Sequence, residues 1–158
     1  MMRTVITPEQ VVSIAFGEGN YLSANIVSSA DIVAAQDRYL IPIMGQTLLE
    51  AVLDGDYEDF MANYVAPAAA FATRLRVQPA INLKLGDSGL VAPRGDAVET
   101  PLQSAVDALM LSLRMRTRQL LKRLSNYLNS NEHSFSEYRK EYNILNRCSI
   151  DGGFVQIF

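Results

Sequence analysis

The sequence predicts a mainly α protein: a bundle of four to five helices with one β-hairpin insertion and an extended C-terminal tail. Three observations carry that expectation. Apolar residues recur at the helical period through most of the chain. One stretch, INLKLGDSGLVAP at 81–93, instead alternates apolar and polar residues about a Gly-Asp-Ser-Gly turn, as a hairpin does. The end, GGFVQIF, is apolar with no helical spacing. The chain divides accordingly into a helical domain over 1–144, with the hairpin inside it, and a tail over 145–158. Its 158 residues suit a single domain, and 49% hydrophobic content can build a core without disulfides or metals.

The elements follow in order. In ITPEQVVSIAF, Thr7 is placed to cap a helix, Pro8 suits its first turn and Gln10 completes a capping box. Ile6 and Val11 are spaced as a hydrophobic staple, and GEGN after Phe16 stops the helix. A second helix, SSADIVAAQDRYL, has Ser28 or Ser29 as cap and Ile32, Val33, Gln36, Tyr39 and Leu40 on one face. Then Pro42 and Gly45 interrupt the pattern. A proline lacks an N–H and pushes the preceding residue toward extended backbone. Tyr39, Pro42 and Gly45 are therefore expected to form a corner. Pro42 would open a new helix, and Gly45 would admit a close neighbour. Leu48, Leu49, Val52 and Leu53 give that helix its apolar face. In the third segment Phe60, Tyr64, Ala68, Phe71 and Leu75 share a face, with a kink expected at Pro67. The longest helix opens at Thr100 and Pro101 and closes in an asparagine-rich end. HSFSEYRKEY reads as a short helix or turn, and NILNRCSIDGGFVQIF as extended.

Composition narrows the chemistry. The net charge of −3 gives no global field for nucleic acid, so any DNA contact must be local. Cys148 is the only cysteine and His133 the only histidine. Neither sits in a catalytic signature, so no catalytic residue, metal ligand or cofactor is expected. DGDYED resembles the start of a calcium loop but lacks its glycine and its closing glutamate. A solvated helix start explains it. The N-terminus has no apolar region of signal length, and VAPAAAFA is too short to cross a bilayer. A soluble protein made inside the cell, without a membrane partner, is the expectation.

Two features ask for a partner. Between Leu111 and Leu124 the long helix carries Arg114, Arg116, Arg118, Lys122 and Arg123 and no acidic residue. On a helical wheel Val106, Leu109, Leu113, Leu120 and Leu124 form the core face. Arg114, Arg118 and Lys122 form one basic stripe, Arg116 and Arg123 another, and Leu111 and Met115 fall between them, toward water. Three explanations fit: cover by other helices, a protein interface rich in arginine and methionine, or contact with a DNA backbone. The second feature is the tail. Phe154, Val155, Ile157 and Phe158 would be costly to leave in water, and could pair with the chain's own hairpin or with a neighbouring subunit.

YLIPIMGQTLLEAVL, Tyr39 to Leu53, resembles a signature of head–tail connector (adaptor) proteins of tailed phages and of related prophage proteins from gut bacteria. That signature pairs a Tyr-x-x-Pro corner with a following glycine and a leucine-rich helix. FMANYVAPAAAFATRL is similar to the family's next helix, and INLKLGDSGLV to its hairpin. A long arginine-rich helix and an FSEYR-like end follow in the same order, so the likeness runs from Thr4 to Tyr142. The resemblance implies a non-enzymatic virion subunit, assembled in the bacterial host cytoplasm. Copies of it would form a ring between portal and tail proteins, with DNA passing through and touched weakly. The alternative is a regulatory or scaffolding module that binds a partner protein or DNA through the basic helix 101–130.

Overall fold

A computed structural model describes residues 3–17, 24–81, 84–86, 89–91 and 103–147, the two three-residue pieces by backbone alone. The fold is mainly helical, and among the described residues five runs of α-helix form the bundle, beside short 3₁₀ turns. α1 is Pro8–Val11 continued by a π-helical turn, Val12–Phe16. α2 is Ser29–Ala35, a π turn Gln36–Leu40, and Ile41–Met44. α3 is Gln46–Asp54. α4 is Glu58–Phe60, a π turn Met61–Val65, and Ala66–Ile81. α5 is Gln103–Ser130.

The starts form as their residues dictate. Thr7 and Gln10 satisfy each other's backbone N–H in a capping box. Ser28, not Ser29, caps α2, and Asp31 closes a second box there. Buried Gln36 fixes the segment ahead of α1: its Oε1 accepts from the Val5 N–H at 2.8 Å and its Nε2 donates to the Arg3 carbonyl at 3.3 Å. The one ion pair among the described residues, Arg3 with Asp54 at 2.7 Å, ties the same segment to the end of α3.

α4 is the centre of the bundle. Ala66, Ala68, Ala69, Ala70, Phe71, Ala72 and Thr73 are all buried, so this stretch has no exposed face. Small side chains there let α1, α2 and α5 pack around it. The bulk of the core comes from the surrounding elements instead: Ile32, Leu40, Met44, Leu48, Leu124 and Leu128 have almost no exposure.

The corner is not where the sequence reading puts it. Ile41 is helical (φ −55°, ψ −43°), and the helix runs through Pro42 to Met44. The Gln36–Leu40 π turn makes this possible. Ile41 donates to the carbonyl five residues back, at Gln36, so the ladder is already widened where the proline ring arrives without an N–H. The chain turns at Gly45, whose φ of 83° and ψ of 159° suit glycine alone. Its N–H closes α2 on Ile41 and its carbonyl opens α3 to Leu49. A Cβ on Gly45 would meet nothing within 4 Å, so the glycine serves backbone conformation and not close packing. Pro67 repeats the device. The expected kink is a π turn in which Ala66 donates to Met61, directly before the proline.

Two further expectations are revised, and one falls mostly on residues the structure does not describe. The expected insertion over 81–93 lies largely outside the described residues. Ile81 belongs to α4, which carries Pro79 in its last turn. Beyond it, Lys84–Gly86 runs antiparallel to Gly89–Val91. On α5, Val106, Leu109 and Leu120 are only half-buried. The packed face is Leu113, Thr117, Leu121, Leu124, Ser125 and Leu128. Finally, Ile144–Asn146 is not extended but a 3₁₀ turn on the bundle.

Candidate functional site

Once α5 is packed against α4, its second face is defined by what remains uncovered. Thr117 donates to the Phe71 carbonyl at 3.3 Å, which fixes the rotation of α5. Leu111 and Met115 then point outward, 58% and 56% exposed. Other helices do not cover them among the described residues, so the first of the three explanations does not hold within this body.

The five cations divide into two kinds. Arg116 lies over the Phe71 ring at 4.7 Å and Arg123 over the Tyr64 ring at 4.9 Å. These two guanidinium groups lie over apolar rings of α4, a modest stabilisation at exposed sites. Arg114, Arg118 and Lys122 are exposed, and among the described residues none has a hydrogen bond or ion pair. Nothing in the described body neutralises their charge. Arg74, on the neighbouring helix, adds to the field. It donates to the Ala15 carbonyl at 2.6 Å and lies 4.4 Å from the Phe16 ring centre. Burial, with nearby Arg116 second, holds its pKa below the ordinary arginine value.

Leu111 and Met115 thus form a ridge between two grooves. One is lined by Tyr39, Leu75, Arg114, Arg118 and Leu121, the other by Ala108, Ser112, Arg116 and Gln119. Tyr39, expected only as part of a corner, is half-buried and forms the wall of the first groove. Replacing Leu111 and Met115 together with serine is expected to shift the melting temperature by less than about 3 °C, because neither contributes to the core. A larger loss in a thermal melt would mean that the ridge is covered.

A second cluster surrounds the end of α5. Tyr64 and Tyr127 stack with ring centres 4.0 Å apart, and Phe60 lies 5.7 Å from Tyr127 and 4.8 Å from Phe135. Tyr57 donates from its hydroxyl to Glu137 at 2.9 Å. The carboxylate raises the Tyr57 pKa, while hydrogen bonds from Ser136 and then Tyr57 lower that of Glu137. These contacts pack the start of α4 against the end of α5 and the segment that follows it.

His133 is exposed in the 3₁₀ turn Glu132–Ser134. Cys148 and the tail residues Phe154, Val155, Ile157 and Phe158 lie outside the described residues, as do Thr100 and Pro101. No group of three or more His, Cys, Asp or Glu side chains is placed to hold a metal among the described residues. No helix among them is long and apolar enough to cross a membrane.

The architecture is thus that of a small helical bundle with one basic and apolar helix face that the described residues leave uncovered. The chain belongs to the family of unknown function DUF6712, which matches residues 26–146. That match takes in α2 to α5 and the 3₁₀ turn Ile144–Asn146. Comparison with curated proteins and with solved structures gives no match.

Proposed function

We propose that the protein is a non-enzymatic virion subunit of the head–tail connector type, which works by assembling into a ring between portal and tail. The observation that carries this reading is the exposed Leu111–Met115 ridge on the face of α5 opposite the one that packs into the core. An apolar ridge with arginine at its sides has the composition of a protein interface. The order of elements in the sequence, from the Tyr-x-x-Pro corner to the arginine-rich helix, supports the same class. In this reading a hairpin at 81–93 and the tail, with Phe154, Val155, Ile157 and Phe158, reach neighbouring subunits. Ordering such segments on binding costs entropy and makes assembly controllable. DNA passes the ring with weak contacts and needs no specific grip.

The test is native mass over a wide concentration range, with and without residues 148–158. The full chain is expected to form a ring of roughly ten or more copies. The shortened chain is expected to stay folded and associate less. Identical mass and identical incorporation into particles for both chains would count against the role of the tail.

A second reading has one observation in its favour: Arg114, Arg118 and Lys122 have no partner among the described residues. A regulatory or scaffolding module would use them on a partner protein or on DNA. Duplex binding that falls roughly tenfold or more between about 50 and 200 mM salt would favour it over the connector.

A further inference from the structure

The ridge on α5 has a complement elsewhere on the same molecule, and we propose that the two are the halves of one head-to-tail contact between copies of this chain. The inference deepens the connector reading, on which it rests only for closure into a ring. The contact itself stands on shape and charge.

The ridge is apolar at its crest and basic at its sides, with Leu111 and Met115 between Arg114, Arg118 and Arg116. No acidic residue lies between Leu111 and Leu124. Two ridges paired about a twofold axis would bring a net positive face against itself, with Asp107 the one carboxylate of α5, a poorer match than an acidic surface. What covers the ridge must be apolar in the middle and acidic at the rim.

Such a surface exists where α3 turns into α4. Val52, Leu53, Met61 and Ala62 line a groove whose rim carries Asp56 and Glu58. Asp54 and Asp59 are exposed beside it. Of these four carboxylates only Asp54 is paired with a cation among the described residues, by Arg3. The groove and the ridge do not meet within one molecule. Leu75 borders the ridge and Met61 the groove, about 21 Å apart along α4 at 1.5 Å per residue. A contact joining them is heterologous. Every copy keeps a free ridge at one end and a free groove at the other, so the assembly grows until it closes.

The test reverses the charges of each side in the full chain: Arg114→Glu with Arg118→Glu in one variant, Asp56→Lys with Glu58→Lys in the other. All four side chains are exposed, so both variants are expected to melt close to the wild type. Sedimentation up to about 1 mM measures association. The wild type is expected to associate, and each variant alone to associate at least about tenfold more weakly. Mixing the two variants is expected to restore assembly, because each then meets the opposite sign at both contacts. Rescue in the mixture is the decisive result. A wild type that stays monomeric at about 1 mM overturns the proposal. So does a reversal that changes association less than about threefold, or a loss with no rescue on mixing. The last result would assign the ridge to the tail or to DNA. A small or open oligomer that obeys the charge swap keeps this contact and overturns the ring. A ring indifferent to the swap keeps the connector and overturns this contact.

Discussion

Gly45→Ala is expected to destabilise the protein by about 2–3 kcal/mol, while Pro42→Ala leaves it within about 1 kcal/mol of wild type or above it. The pair of variants separates two roles that share one short stretch of chain. Gly45 has φ 83° and ψ 159°, a region that an L side chain occupies only under strain. The space around it is open, so no clash adds to the cost and none can be relieved by repacking. The strain is in the backbone itself. It falls where one N–H ends α2 and one carbonyl begins α3, so relaxing it would misplace Leu48 and Leu49, which are almost wholly buried. Pro42 differs because its missing N–H is already accommodated by the preceding π turn. Thermal melts are the measurement. For a chain of this size the Gly45 variant should melt about 5–10 °C lower. Equal losses in the two variants would mean that the corner is built by the proline after all.

That stretch also shows how far the sequence could be read. A helical bundle followed from periodicity, and the two helix starts followed from Thr7–Gln10 and Ser28, because capping is decided by neighbours in sequence. The site of the turn did not. Proline and glycine both break helices, and propensity does not say which one yields when a π turn intervenes. The signal was present all the same: Tyr39-Leu-Ile-Pro42 and Tyr64-Val-Ala-Pro67 are spelled alike, and both fold as a π turn leading into a proline. On α5 the exposed pair Leu111 and Met115 was legible from the wheel, yet the core face was partly misplaced. Its first anchors, Val106 and Leu109, lie at the helix end where they are only half-buried. The spacing that matters starts at Leu113 and continues through Thr117, Leu121, Leu124 and Leu128. A threonine within a leucine face hides that register, since its role depends on a carbonyl of α4.

The least legible feature gives the other large expected effect. Asn143→Ala is expected to cost about 3–4 kcal/mol. In sequence Asn143 only opens NILNRCSIDGGFVQIF, the stretch that reads as extended. In the fold it is fully buried and its amide is the centre of a network. Its Nδ2 donates to Ser125 Oγ and to the Tyr138 hydroxyl, both at 2.8 Å, and its Oδ1 accepts from the Leu145 N–H at 3.0 Å. Tyr138 in turn donates to Asn129 Oδ1 at 2.7 Å, and Asn129 and Asn146 exchange amide hydrogen bonds at 2.8 Å. Alanine at 143 leaves several of these groups unsatisfied in a site closed to water, and that is worse than losing the bonds alone. Chemical denaturation should show the loss as a lower midpoint with an unchanged slope. The same network sets where the chain can be cut. A chain ending at Arg147 keeps Asn143 and Asn146 and is expected to match the full chain in stability. A chain ending at Tyr142 loses both and should fall with the Asn143 variant. If the two truncated chains were equally stable, the network would be a consequence of the packing around Tyr138 and not its support. The surface proposed for assembly would then be carried by a body that closes before Asn143.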